Sequence, residues 1–409
     1  MTSQSGILRI RTARAHANAL ARIESLMDKE RSEAETKEYR ALFDAVMAYE
    51  DRHFPMDPPD PVEAIKFRME QAELTRKDLV PIFGSLAKTA EVLSGKRDLT
   101  LKMIRALNKQ FGIHADSLTS DGMEIPEIPA GIDFDRFPLV EMAKRGWISD
   151  TKDLNDRAEE IIRDLVDRAG GWDALPKALF RQDESARRNE KTDMHALRAW
   201  CLHVLCKARL AGLDGIYRSG TVNPAFMREL AQLSPLDDGP KLARKKLAER
   251  GIAMIVAEHL PGTNLDGAVL HTAENVPVVG MTNRHDRLDT FWFCLLHELA
   301  RIGLHFPDGK AEVFIDDLQF PERQGRRDNE REREADEWAL EALVPSYLWN
   351  DYLASAVPTA KNVHSLARTA GVHPAIVAGR IRQELGDFRL LSHSVGSGKV
   401  CANLMGGLT

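Results

Sequence analysis

Residues 289–305, Asp-Thr-Phe-Trp-Phe-Cys-Leu-Leu-His-Glu-Leu-Ala-Arg-Ile-Gly-Leu-His, constrain this chain more than any other stretch. Phe291, Leu295, Leu299 and Ile302 recur at helical spacing, so the stretch reads as a helix buried along that stripe. Such a helix carries the adjacent His297 and Glu298 into the interior, where ionisable groups need partners. Two histidines four apart on one helical face can share a zinc ion, and the glutamate after the first can act as general base on the zinc-bound water. Here the second of those positions is Arg301, whose guanidinium stays protonated and has no lone pair for a metal. Taken alone, the pattern is also satisfied by a helix with an ion pair between Glu298 and Arg301, three apart. Asp289 or Thr290 is the expected N-cap, and Gly303 weakens the far end. His305 is a poor replacement for the missing histidine: eight residues put it roughly 12 Å farther along the axis than His297, unless the helix breaks at Gly303.

A second segment changes the weight of the first. From Glu332 the chain reads Glu-Arg-Glu-Ala-Asp-Glu-Trp-Ala-Leu-Glu-Ala-Leu-Val-Pro, a helical pattern with Ala335, Trp338, Ala339 and Leu343 on its apolar face. A carboxylate on a second helix is what a His-His-Glu zinc site requires as its third protein ligand. The two segments in this order resemble the ImmA/IrrE family of metallopeptidase-like domains, over about residues 242–386. The resemblance implies His297 as first zinc ligand, Glu298 as the catalytic general base and Glu332 as third ligand, with Glu334 the alternative two residues on. Arg301 departs from the family pattern. A guanidinium fork can bond a carboxylate in two places, so the expectation is an ion pair between Arg301 and Glu332 in place of the metal. On this reading no cofactor is expected; zinc belongs only to a functional peptidase site.

The bulk numbers bound the class. A chain of 409 residues with net charge −6 holds two or three domains with real cores. No apolar run reaches membrane-spanning length. The opening, residues 9–22, is rich in arginine and poor in acid like an organelle transit peptide, yet it passes straight into a helical pattern, which points to a cytoplasmic protein. Cys201, Cys206, Cys294 and Cys401 are scattered, so they read as reduced thiols rather than a disulfide frame or zinc knuckle.

Residues 1–55 read as a helical hairpin, with Ala19, Leu20, Ile23 and Leu26 on one stripe and Tyr39, Leu42, Phe43, Val46 and Tyr49 on the other. Asp57-Pro58-Pro59-Asp60-Pro61 breaks the chain and starts a new helix. Residues 61–119 then give helices near 62–71, 75–83, 86–93 and 99–110, with Gly84-Ser85 as the tight turn between the second and third. In helix-turn-helix geometry the helix after the turn lies in the DNA major groove. Ser85, Lys88 and Thr89 at its start are the candidates for base edges, and Arg76, Lys96 and Arg97 those for phosphates. Leu74-Thr75-Arg76-Lys77-Asp78-Leu79 with Val92-Leu93-Ser94-Gly95-Lys96-Arg97 resembles XRE/Cro-type DNA-binding domains. With the flanking helical segments, residues 7–119 resemble more narrowly a HigA-type antitoxin, where glutamine often stands at the position of Arg76. That resemblance implies operator DNA, a homodimer and a HigB-like ribonuclease toxin as partners.

A proline-spaced linker, Ile125-Pro126-Glu127-Ile128-Pro129, leads to residues 139–250, a helical connector that packs against the domain after it. Residues 251–386 open with short apolar runs at 252–257, 267–270 and 276–280, a small sheet directly before the His297 helix. Phe314-Ile315 looks like a strand or turn, Asp316 and Asp317 a solvated turn, and 321–331 a charged loop. Residues 387–409 read as a loosely ordered tail. The expectation is therefore a mainly α, multidomain chain: a helix-turn-helix bundle, a helical connector and an α+β zincin-like domain with a small sheet. Its function would be that of a DNA-binding transcriptional regulator, with an antitoxin role and a degenerate peptidase-like sensor; the alternative is an active zinc endopeptidase that cleaves a repressor or itself.

Overall fold

The computed structural model describes residues 9–27, 31–54, 60–119, 126–129, 131–150, 152–172, 193–213, 215–263, 265–305, 314–315, 326–355 and 357–404. Asp57-Pro58-Pro59, Asp316, Asp317 and 318–325 lie outside these residues, as do the side chains of His305 and Cys401. The chain is mainly helical with one small sheet, and it divides into two compact units, Met1–Pro126 and Glu127–Thr409. Among the described residues no helix is long and apolar enough to cross a membrane.

The first unit begins with the hairpin α1 (Ala13–Met27) and α2 (Glu33–His53). Ser32 starts α2 through a capping box: its hydroxyl accepts from the Glu35 N–H, and the Glu35 carboxylate accepts from the Ser32 N–H at 3.0 Å. Ala19, Ile23, Leu26, Val46 and Tyr49 are buried as their spacing predicts, but Leu20 and Phe43 are 42 % and 45 % exposed. α3 (Pro61–Gln71), α4 (Val80–Phe83), α5 (Leu86–Leu93) and α6 (Leu101–Phe111) follow, packed on Ile65, Leu79, Phe83, Val92, Met103, Ile104 and Leu107. The helix expected over 75–83 shrinks to α4. Pro81 has no N–H to give the fourth carbonyl back and its ring collides there, so a helix can begin at Val80 but cannot run in from Thr75. The residues before it turn instead, with Asp78 accepting from the Thr75 N–H and hydroxyl at 2.7 Å each, which holds the Asp78 carboxyl below its usual range.

In the second unit, α7 (Leu139–Lys144), α8 (Ala158–Ala169), α9 (Met194–Leu210), α10 (Pro224–Ala231) and α11 (Gly239–Ala248) lead to the strands β1 (Ala253–Ala257), β2 (Gly267–His271) and β3 (Pro277–Thr282). With β4 (Phe314–Ile315) they form a sheet of order β1-β3-β2-β4, in which β1 and β3 are parallel and the other pairs antiparallel. Ala253, Ile255, Ala268, Leu270 and Val278 face α9, with Trp200 and Val204, while Met254, Val269, Val279 and Met281 face α12 (Leu288–His305). Burial on both faces is why these strands are apolar runs without alternation. The connector thus shares its core with the sheet. α13 (Arg326–Leu343), α14 (Ser346–Ser355), α15 (Ala360–Ala370), α16 (Pro374–Leu385) and α17 (Lys399–Leu404) complete the unit.

Two expectations are corrected here. Of the charged loop placed at 321–331, residues from Arg326 onward are helical: Arg and Glu are good helix formers, and Arg333 lies 3.9 Å from Glu330 and 3.6 Å from Glu337 at helical spacing. The tail packs through residue 404. Ser397 bridges Arg287, the Val400 N–H donates to Asp286 Oδ1 at 2.9 Å, and Val395, Val400 and Leu404 are buried.

Candidate functional site

α12 runs between the sheet and α13, with Phe291, Leu295, Leu299 and Ile302 in the core. Its polar residues go inside with them: His297, Glu298 and Arg301 are 1 %, 0 % and 1 % exposed, so their charges are balanced within the protein or not at all. Arg301 Nη1 donates to Glu298 Oε2 at 3.3 Å, and Arg301 Nη2 donates to Glu332 Oε2 on α13. His297 Nδ1 lies 2.8 Å from Asp336 Oδ1, and because an ionised carboxylate only accepts, the ring is the donor there. Its Nε2 is 3.4 Å from Glu332 Oε2. The structure therefore brings His297, Glu298, Arg301 and Glu332 together. Glu334 is exposed away from them, since two residues on a helix is a rotation of more than half a turn.

Asp336 is the site residue that the sequence reading missed. It stands four residues after Glu332, hence on the same face of α13, and that spacing was the available signal. It bonds the ring nitrogen opposite Glu332, the position from which a carboxylate fixes a histidine's tautomer and orientation. Gly267 is a second omission: a Cβ there would sit 2.8 Å from Glu298 Oε1 and 2.7 Å from Cys294 Sγ, so β2 approaches the buried carboxylate through its backbone.

The donors do not fit zinc. A three-ligand site needs a second neutral or anionic donor beside His297 and Glu332, and that place holds a cation bonded to both glutamates. Among the described residues no group of three or more His, Cys, Asp or Glu side chains is placed to hold a metal. Gly303 does not break α12 to bring His305 back: the helix is continuous to residue 305, and the glycine is required because a Cβ would lie 2.8 Å from the Val222 carbonyl oxygen and 3.2 Å from the Trp338 ring. Asp289 is not the cap either but lies in the first turn, buried, and accepts from Arg287 Nε at 2.9 Å.

In the first unit, Gly84 turns the chain from α4 into α5 in the left-handed region, φ +86°, and Ser85 caps α5 by accepting from the Lys88 N–H at 3.1 Å. Lys88 is half-buried at the start of α5, with Leu86 and Ala87 exposed beside it. Thr89 is fully buried and donates its hydroxyl to the Ser85 carbonyl at 2.8 Å, so it holds the turn and cannot reach a base edge. Arg76 and Lys96 are exposed, whereas Arg97 Nε donates to Glu91 at 2.9 Å and is already paired.

No family model, curated protein or solved structure matches the chain.

Proposed function

We propose that this chain is a sequence-specific DNA-binding transcriptional regulator whose second unit is a metal-free, peptidase-like sensor domain. The observation that carries the DNA reading is the tight Gly84–Ser85 turn, which delivers α5 with Lys88, Leu86 and Ala87 at its accessible start, in a unit that also exposes the cations Arg76 and Lys96. Lysine can bond a guanine edge, small apolar side chains can meet a thymine methyl, and the exposed cations suit phosphates. The HigA resemblance adds an antitoxin role, with a HigB-like toxin from a neighbouring gene as partner. The alternative, an active zinc endopeptidase, is disfavoured by a guanidinium in the place of the second ligand.

Footprinting on the DNA upstream of the gene tests the reading. The expected result is protection of a two-fold symmetric site with half-sites about one helical turn, or a multiple of it, apart. Equal binding to that DNA and to a random duplex would overturn it.

A further inference from the structure

The α1–α2 hairpin closes a core of Ile10, Ala19, Ile23, Ala45, Val46 and Tyr49 and leaves much apolar surface outside it. Leu20 and Met27 are 42 % and 60 % exposed on one stripe of α1; Phe43, Met47 and Phe54 are 45 %, 44 % and 63 % exposed on one stripe along α2 and its end. Both stripes lie on the same face, because the His16 ring stacks on Tyr49 at 4.7 Å and meets Phe54 at 6.4 Å, whereas the Arg22–Glu38 pair closes the opposite face. Contiguous exposed apolar surface of this kind marks an interaction site.

We propose that this face is covered by a second copy of the chain, the two hairpins closing a four-helix bundle. A face as long as the 21 residues of α2 and two helices wide offers roughly 600 Å², against roughly 800 Å² per partner in a standard interface. Charge selects the arrangement. Leaving aside Arg22 and Glu38, which pair on the opposite face, residues 9–27 carry Arg9, Arg11 and Arg14 against Glu24, a net of +2, and α2 carries five acidic and three basic residues, a net of −2. A two-fold axis parallel to the helices lays α1 of one copy on α2 of the other, +2 on −2; an axis across them lays like charge on like. The Arg22–Glu38 and His16–Glu50 pairs set the levels of the two helices, so the favoured axis brings Leu20 against the Phe43–Met47 turn of the other copy.

This inference stands apart from the DNA reading: a monomer that still protects an operator would remove the one and leave the other. Sedimentation equilibrium of the full chain without DNA is expected to give twice 45.8 kDa. Joint substitution Phe43→Glu and Met47→Glu should weaken association about 100-fold or more, with helicity unchanged because both side chains already face water. If the glutamates cost helicity, Phe43→Ser with Met47→Ser gives the same readout with less perturbation. A monomer at all concentrations overturns the proposal, and so does a dimer that survives the serine pair. A monomer that forms a one-to-one complex with a small toxin through Phe43 and Met47 also overturns it and assigns the face to that toxin.

Discussion

Arg301 carries a charge that no working pH removes, and it is buried with Glu298 on one side and Glu332 on the other. Arg301→Ala would leave a fully buried carboxylate without its cation, a change that costs about 3–5 kcal/mol. Urea unfolding should register that loss, and the double variant Glu298→Gln, Arg301→Met should recover most of it; if both variants are equally unstable, the cost is packing and not charge. Arg301→His puts a second imidazole one turn after His297, with Glu332 opposite, so zinc titration should reach one ion per chain in that variant and not in the unmutated protein. One zinc per unmutated chain, with proteolysis lost on Glu298→Gln, would restore the enzyme reading. In the first unit Arg97 is held by Glu91, so on the proposed DNA reading the test of a phosphate contact falls on the exposed Lys96, which the sequence names beside it. Lys96→Ala should weaken all duplexes alike and lower the salt slope by about one, while Lys88→Ala should relax sequence preference.

At the scale of elements, helices with a clean stripe and a local start signal were legible in the sequence, as were the three main strands. α5 begins at Leu86 and α6 at Leu101, each directly after a residue, Ser85 and Thr100, whose side chain accepts from the first turn. What escaped depended on partners distant in sequence. Phe43 shares the helical pattern of Val46 yet lies outside the core, because two helices facing each other bury only one stripe apiece. The His297–Glu298 pair was legible from one helix; Asp336 comes from α13, where its four-residue spacing from Glu332 is the one local signal, and Gly267 comes from β2, where nothing local announces it. Gly303 reads as a helix weakness and is a contact. Gly→Ala in an exposed helix gains up to about 1 kcal/mol, but here the added Cβ meets the Val222 carbonyl, and overpacking of this kind costs about 1–3 kcal/mol. Gly303→Ala should therefore lower the stability of the second unit; a gain would show that Val222 yields freely.

For the molecule as a whole, the buried histidines decide how stability responds to acid. His203 is stacked flat on Trp147 at 4.0 Å, and burial, assisted by Lys207 and Arg168, pushes its pKa down to about 3. Burial pushes His271 down to about 4, and it lowers His195, His259 and His373 as well. All five belong to the second unit. An unfolded chain takes up these protons near pH 6.5 and the folded chain refuses them, so below that pH the unfolded state binds more protons and gains on the folded one. Their contribution is complete above about pH 6.5 and is lost as pH falls toward the folded values. The expected slope is up to ~1.4 kcal/mol per pH unit for His203 and for His271, each in its window. Every tryptophan, from Trp147 to Trp349, lies in the second unit, so their fluorescence during urea unfolding reports that unit alone. Between pH 7.5 and 5 the midpoint should fall steadily. His203→Phe keeps an aromatic ring on Trp147 and removes one titrating group, so it should flatten the fall; a pH-independent midpoint, or one unchanged in slope by His203→Phe, would show that these rings do not stay neutral in the fold.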